Sequence, residues 1–206
     1  RSKLILDNLT LTINKNQKIG ISGQSGCGKS TLIKILAGLI KPNNADFVID
    51  NKIKIKDNYL NLSGIAFVPQ NIFIINDTIK RNIAFGVSDK KIDNEKVNRC
   101  LKQVQLDQII EKNDIGLNHL LLERGKNLSG GQIQRIGIAR ALYFDPDIII
   151  FDESTSSLDR VNEEKILKII DKISKNKTII FVSHRKEVLN FCDINYHIEN
   201  KKIYVQ

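Results

Sequence analysis

Eight residues near the start of the chain combine closely spaced glycines with a lysine and a serine. They are Gly23, Gln24, Ser25, Gly26, Cys27, Gly28, Lys29 and Ser30. They match the pattern G-x-x-x-x-G-K-[ST], in which glycines leave backbone N–H groups free to approach phosphate oxygens. In this pattern the lysine adds positive charge beside the β- and γ-phosphates, and the hydroxyl binds Mg²⁺. The sequence therefore predicts a loop that binds a nucleoside triphosphate.

The residues on either side of this loop predict the elements that hold it. Lys18–Ser22 has the pattern of a short apolar strand, and Ser30–Leu39 has apolar residues on one face, as in an amphipathic helix. A helix that begins at the loop points the positive end of its dipole at bound phosphates. A plain glycine turn is the alternative, and the flanking strand and helix make it the weaker interpretation.

A second group is a pair of carboxylates after an apolar run. Ile148–Phe151 predicts a parallel strand that is buried on both faces, and Asp152 and Glu153 follow it directly. Asp152 can contribute to a Mg²⁺ shell, and Glu153 can polarise an attacking water. Acids in the first turn of a capped helix are the alternative, which the glycine loop disfavours. Together the loop and the pair predict an enzyme that binds and hydrolyses ATP.

A third group is a second glycine-lined helix start. Leu128–Gln132 contains Ser129, Gly130 and Gly131, and a helical pattern then runs to Leu142. Such a helix start is suited to an anion, although an ordinary capping turn has the same residue types. A single nucleotide does not obviously need two phosphate-seeking helix starts in one chain.

Leu128–Gln132 resembles the signature motif of ATP-binding cassette (ABC) proteins. Further motifs of that family occur in the family's order: a glutamine after a strand (the Q-loop), an acidic turn, the D-loop and the switch histidine, at Gln70, Asp145–Asp147, Ser156–Asp159 and His184. The resemblance extends from about Leu6 to Ile203, which is nearly the whole chain. Taken singly, Gln70 would fit a solvated strand end and His184 an ordinary core or loop histidine, but the ordered set favours function.

The resemblance implies a division of roles among these residues. ATP would be bound by the glycine loop through Thr31 and, from a second domain paired head to tail, by Ser129, Gly130, Gly131 and Gln132. Mg²⁺ would be held by Ser30, Gln70 and Asp152. Glu153 would be the general base, assisted by Gln70 and His184, and Asp159 would contact the paired domain. A lone chain is then expected to bind ATP and to hydrolyse it poorly.

Two further segments resemble exporters within this family. Glu123–Gly125 is similar to the X-loop, and Asn76–Gly86 is similar to the segment that faces the coupling helices of a membrane domain. This implies a membrane-spanning part upstream in the same polypeptide, a location on the cytoplasmic side of the membrane, and a second nucleotide-binding domain, which an identical chain could supply. The adenine-stacking aromatic of the family is expected before Arg1.

Two other classes of the family are the alternatives. An importer subunit is disfavoured by Glu123–Gly125. Repair proteins insert a long coiled coil between the motifs, whereas Lys29 and Ser129 are only 100 residues apart here. Translation proteins carry two cassettes, and one is present.

Composition excludes several other functions. The 206 residues carry a net charge of +9, but the lysines are scattered, and aromatic residues are only 6% of the chain, which argues against a nucleic-acid partner. The cysteines Cys27, Cys100 and Cys192 are widely separated, which argues against zinc and fits a reducing compartment. No apolar run is long enough to cross a bilayer.

The pattern of elements predicts an α/β fold. We expect a P-loop NTPase (RecA-like) core with a mainly parallel sheet, an N-terminal antiparallel β part and an inserted α-helical signature subdomain. The alternating, β-rich Leu9–Ile13 predicts a further strand. In a single domain of residues 1–206, residues 1–70 and 143–206 would form the core and residues 71–142 the helical subdomain. Ile194–Ile198 and Lys202–Val205 predict a terminal hairpin.

Overall fold

The computed structural model describes residues 4–50, 53–55, 64–107, 116–156 and 158–206. Its strands are β1 (Lys18–Gly23), β2 (Phe47–Ile49), β3 (Ile53–Ile55), β4 (Ile65–Val68), β5 (Asp77–Thr78), β6 (Leu120–Leu121), β7 (Ile148–Asp152), β8 (Thr178–Val182), β9 (Ile194–Glu199) and β10 (Lys202–Val205). Its α-helices are α1 (Lys29–Leu36), α2 (Ile79–Ile83), α3 (Asn94–Gln103), α4 (Gly130–Tyr143), α5 (Arg160–Ser174) and α6 (Lys186–Asn190).

Six strands form one sheet in the order β10-β9-β1-β8-β7-β4. The pairs β9–β1, β1–β8, β8–β7 and β7–β4 are parallel, and only the terminal hairpin β9–β10 is antiparallel. The mainly parallel α/β sheet predicted from the sequence is therefore confirmed. Because the carboxyl ends of parallel strands meet at one edge, the residues that follow β1, β7 and β8 are brought together there.

The central strands are apolar because both faces of the sheet are covered. Successive side chains point to opposite faces, so Ile150 and Ile180 enter the core beside α1, while Phe151 and Phe181 enter the core beside α4 and α5. The rings of Phe151 and Phe181 stack with centroids 5.1 Å apart. This packing sets the register of β7 against β8, which pairs Asp152 with Val182.

The alternating segment at residues 9–13 forms no strand, so that part of the expectation is wrong. Leu9, Leu11 and Ile13 still pack against the core beside α1, and the hydroxyl of Tyr196 donates to the backbone oxygen of Thr12 at 3.0 Å. The alternation thus reports burial of one face without a neighbouring strand to complete a ladder. The N-terminal antiparallel β part in the described residues is the pair β2–β3.

Helix bounds differ from the sequence patterns where caps intervene. The helix predicted over Ser30–Leu39 ends at Leu36, because Gly38 adopts a positive φ of 69° just beyond it. The pattern over Asn76–Ala84 begins as strand β5, and the Thr78 side chain then accepts from the Arg81 N–H and starts α2. None of the helices in the described part of the chain has the length and apolar character needed to span a bilayer.

Helices α2, α3 and α4 lie between β4 and β7 along the chain. The buried side chain of Asn82 holds the start of this part, since its Nδ2 donates to the backbone oxygens of Ile75, Asp77 and Thr78. Arg140 of α4 donates from Nε to the backbone oxygen of Asn82 at 2.8 Å. The segment that follows Gln70 is therefore fastened to the signature helix α4.

Candidate active site

The glycine loop follows β1 and leads directly into α1. Gly23, Gly26 and Gly28 have positive φ angles of 144°, 77° and 108°, which residues with a Cβ rarely adopt. A Cβ at Gly23 would collide with the backbone oxygen of Ile198, and one at Gly28 would lie 2.7 Å from Leu6. A Cβ at Gly26 would meet nothing within 4 Å, so Gly26 borders the open space that a ligand can enter.

Lys29 holds the curled loop from inside. Its Nζ donates to the backbone oxygens of Gly23 (2.7 Å) and Gln24 (2.9 Å), and the residue is only 6% exposed. A buried ammonium needs such partners. Gly28 is the N-cap of α1 and provides no side-chain cap, so first-turn N–H groups remain available to an anion.

Asp152 ends β7 and is half-buried. Desolvation by burial raises the pKa of its carboxyl, and the neighbouring charge of Glu153 raises it further, while Lys34 and Lys29 oppose the shift. A cation bound there would stabilise the ionised form. A carboxylate is one of the hard oxygen ligands that suit Mg²⁺ beside substrate phosphates.

Glu153 lies next to His184 at the carboxyl edge of the sheet. Glu153 has a φ of 46°, and its N–H donates to the backbone oxygen of Val182 at 2.9 Å. This left-handed conformation turns the chain out of β7. Nε2 of His184, which follows β8, lies 3.2 Å from Oε1 of Glu153, and both side chains are partly exposed. The pair is thus accessible to a substrate.

Gln70, which follows β4, contacts the same region. Its Nε2 lies 3.3 Å from Oγ of Ser156 and donates to it. The Q-loop glutamine therefore reaches the connection just beyond Glu153. The sheet order β8-β7-β4 explains this, because β7 lies between the strands that carry His184 and Gln70.

Ser129 and Gln132 form a capping box at the start of α4. The Ser129 hydroxyl oxygen accepts from the Gln132 N–H at 3.3 Å, and the Ser129 N–H donates to Oε1 of Gln132 at 2.7 Å. The cap uses the hydroxyl oxygen only as an acceptor, so its hydrogen can still donate to a ligand. The capping box thus orients the Ser129 side chain and leaves its hydroxyl hydrogen available to a ligand.

The signature glycines pack against the start of α5 in their own chain. A Cβ at Gly130 would lie 3.7 Å from Leu158, and one at Gly131 would lie 3.2 Å from Oδ1 of Asn162. Asp159 is the N-cap of α5 and accepts from the Asn162 N–H at 3.0 Å. Among the residues that the structure describes, no hydrogen bond or ion pair joins the signature to the glycine loop. Within the described part of the chain, the two glycine-lined helix starts are therefore separate features.

Sequence reasoning missed one ion pair near the site. Arg185 Nη1 lies 2.8 Å from Oε1 of Glu163, which is only 2% exposed. The sequence carried a sign of it, because Glu163 is in line with the buried Ile166 and Ile170 on the inward face of α5. A charge on an apolar helix face requires a buried partner.

Comparison with known proteins identifies the family. Residues 6–156 match the family model described as "ABC transporter". The chain belongs to the ABC transporter family. Within this family it is the exporter-type nucleotide-binding domain, which binds and hydrolyses ATP.

Similar proteins carry names that refer to export. A protein of Rickettsia typhi described as an export ATP-binding/permease protein is 39% identical over 97% of this chain and 34% of its own length. The ABC transporter ATM1 of Toxoplasma gondii is 36% identical over 98% of this chain and 18% of its own length. A bacterial Atm1-family ABC exporter with ATP bound has a similar structure, with a TM-score of 0.82 and 29% identity over 97% of this chain and 35% of that chain. The chain thus spans about a third or less of these relatives.

Proposed function

We propose that this ABC domain powers export across a membrane by pairing head to tail with a second copy of the same chain around ATP. The observation that carries the proposal is the pair of half-sites. The glycine loop presents one uncapped helix start, while Ser129 presents another, already oriented, that no hydrogen bond or ion pair among the described residues joins to the loop of its own chain. Both half-sites are intact in one chain, and two copies related by a two-fold axis would complete two ATP sites.

Each residue at the carboxyl edge has a proposed part in hydrolysis. Glu153 takes the proton from the attacking water, and His184, in contact with Glu153, braces the γ-phosphate. Ser30, Gln70 and Asp152 would hold Mg²⁺, and the bound ion would neutralise charge on the phosphates. Gly23–Thr31 bind phosphates in one chain, and Ser129–Gln132 reach the γ-phosphate from the other.

An apolar groove beside the Q-loop is the proposed contact with the membrane part. It has a volume of about 370 Å³. Its lining includes Pro69, Ile72, Phe85, Arg140 and Phe144. The two aromatic residues are 46% and 57% exposed and line the same groove, and apolar exposure that is clustered in this way is typical of a surface that contacts another protein.

The groove connects that contact to the ATP site. Phe85 lies in the segment that resembles the exporter coupling surface, and the Arg140 guanidinium stacks 5.1 Å from its ring. Pro69 directly precedes Gln70. We therefore infer that a helix of a membrane-spanning part, in the same polypeptide and upstream of this chain, docks here on the cytoplasmic side. The "ATP-binding/permease" names of relatives support this arrangement.

Complementation between two defective chains tests the pairing. In the full-length protein carrying Glu153→Gln, so that ATP is retained, Lys29→Ala disables the glycine loop and Ser129→Arg blocks the signature. Each variant alone should retain no ATP through gel filtration. A co-expressed mixture should retain about a quarter of the Glu153→Gln amount, because half of random pairs are mixed and each mixed pair has one complete site.

Lys41→Ala is the matched control for Lys29→Ala, since Lys41 is exposed and should leave ATP retention unchanged. A mixture that retains no ATP would contradict pairing between identical chains. Full retention by the Ser129→Arg variant alone would show instead that one chain carries a complete site.

A further inference from the structure

Arg185 makes three contacts from a single nitrogen atom. Its Nη1 donates to the backbone oxygens of Thr155 (2.9 Å) and Leu158 (3.2 Å) and to Oε1 of Glu163 (2.8 Å). Because Glu163 is buried, its carboxylate needs a cationic partner. The ion pair therefore fixes the guanidinium at the place where both carbonyls accept.

These carbonyls lie on the stretch of chain between Glu153, which contacts His184, and Asp159, which is expected to contact the paired domain. Thr155 follows Glu153 by two residues, and Leu158 immediately precedes Asp159, the N-cap of α5. Arg185 itself directly follows His184, which contacts Glu153. One side chain thus ties the switch histidine's loop to the backbone that positions Asp159.

The same connection touches the signature glycines. Leu158 lies against Gly130, and Asn162, which caps back onto Asp159, lies against Gly131. Leu158 is buried at 7% exposure, so it cannot shift without displacing its neighbours. A displacement at the Leu158 carbonyl is therefore passed to the start of α4.

We propose that Arg185 is a positioning residue that couples the two ATP sites of the paired domains. The inference rests on the head-to-tail pairing proposed above, in which His184 serves the chain's own ATP and the signature serves the partner's. When the loop that carries His184 moves in response to the γ-phosphate, the Arg185 side chain moves with it. Its hydrogen bonds then displace the carbonyls of Thr155 and Leu158. The signature glycines then shift toward or away from the partner's nucleotide.

Three variants of the full-length protein separate coupling from folding. Arg185→Met with Glu163→Leu removes the buried charges together, so that no unpaired charge remains, but also removes the donor to both carbonyls. Glu163→Gln removes the negative charge of the ion pair but keeps an oxygen that can accept from Nη1, so that Arg185 stays in place and donates to the carbonyls. Arg185→Lys keeps one nitrogen donor at this place. Since Arg185 makes all three contacts through Nη1, a single donor can replace it.

The readouts are ATPase rate against ATP concentration and thermal unfolding. Two coupled sites give a Hill coefficient above one and at most about two for the unmodified protein. The double variant should bring it to about one and lower turnover roughly 2- to 30-fold, the range of effects seen along coupling paths. Arg185→Lys should retain most of the cooperativity. Glu163→Gln should lower the unfolding temperature but keep the Hill coefficient.

The outcomes distinguish this inference from the pairing on which it rests. A double variant with unchanged cooperativity and turnover overturns the role of Arg185. A Glu163→Gln variant that loses as much cooperativity as the double variant also overturns it, because the hydrogen bonds from Arg185 to the two carbonyls would then contribute nothing to the coupling. A Hill coefficient of one in the unmodified protein also overturns the coupling, whereas failed complementation overturns the pairing itself. Arg99→Met, which removes an exposed arginine on α3, is the control.

Discussion

Nε2 of His184 lies 3.2 Å from Oε1 of Glu153 although the two residues are 31 positions apart. The contact arises because β7 and β8 are parallel neighbours whose carboxyl ends meet at the same edge. Glu153 leaves its strand in a left-handed conformation, which brings its carboxylate to the imidazole. A strained backbone at the proposed base agrees with the concentration of such strain at functional sites.

The first prediction concerns Glu153 as the general base. Glu153→Gln keeps the size of the side chain and its contact with His184 but cannot accept a proton. We expect ATP binding to persist and hydrolysis by the full-length protein to fall roughly 10²- to 10⁴-fold. Single-turnover hydrolysis and retained nucleotide measure the two effects. Glu164→Gln, on the exposed side of α5, should change neither, and normal hydrolysis by Glu153→Gln would refute the assignment.

The second prediction separates two glycines of the loop by their surroundings. Gly23→Ala should destabilise the fold by roughly 2–5 kcal/mol, because the new Cβ adds backbone strain and a collision with the Ile198 oxygen. Gly26→Ala should cost only about 1–2 kcal/mol, since it adds left-handed strain in open space. Thermal unfolding of both variants tests the difference. Equal losses of stability would show that the structure shifts to remove the collision between the new Cβ at position 23 and the Ile198 oxygen.

Gly26→Ala should instead weaken nucleotide binding, because its Cβ projects into the space that phosphate oxygens would enter. Titration with a fluorescent ATP analogue measures this effect. Undiminished affinity would place the phosphates elsewhere along the loop.

The third prediction follows from opposite pKa shifts at two aspartates. Burial and the charge of Glu153 raise the pKa of Asp152 above 3.8, so the folded state binds the proton more tightly than the unfolded state, and this carboxyl's contribution to stability falls as pH rises from 3.8 through the folded pKa. Asp152→Asn removes that penalty. Without nucleotide and Mg²⁺, its unfolding temperature relative to the unmodified protein should rise as the pH is raised above 3.8 and through the folded pKa.

Asp145 provides the control with the opposite sign. The hydrogen bond from Lys177 lowers the pKa of Asp145 below 3.8, so its contribution is present above 3.8 and is lost as pH falls through the folded pKa. Asp145→Asn should therefore lose stability near neutral pH and approach the unmodified protein in acid. If both variants change in the same direction with pH, the proposed desolvation of Asp152 is wrong.

The sequence by itself determined the chemistry that depends on neighbouring residues. The glycine loop, the acid pair after β7 and the signature motif are each contiguous, so their spacing alone indicated a phosphate loop, a hydrolytic pair and a second helix start. Long apolar runs likewise predicted β7 and β8, because a strand that is buried on both faces is apolar along its whole length, whichever strands lie beside it. The period-2 pattern at residues 9–13 misled, because alternation reports a buried face and not a ladder.

Only the tertiary structure decided which distant residues act together. The contacts of His184 with Glu153 and of Gln70 with Ser156 depend on strand order, which local patterns do not encode. Arg185 was invisible as a positioning residue because two of its three acceptors are backbone carbonyls, which every residue type carries. Among the described residues the signature packs against the start of α5 and has no hydrogen bond or ion pair to the glycine loop, which is the physical basis for proposing that the glycine loop forms only half of an ATP site.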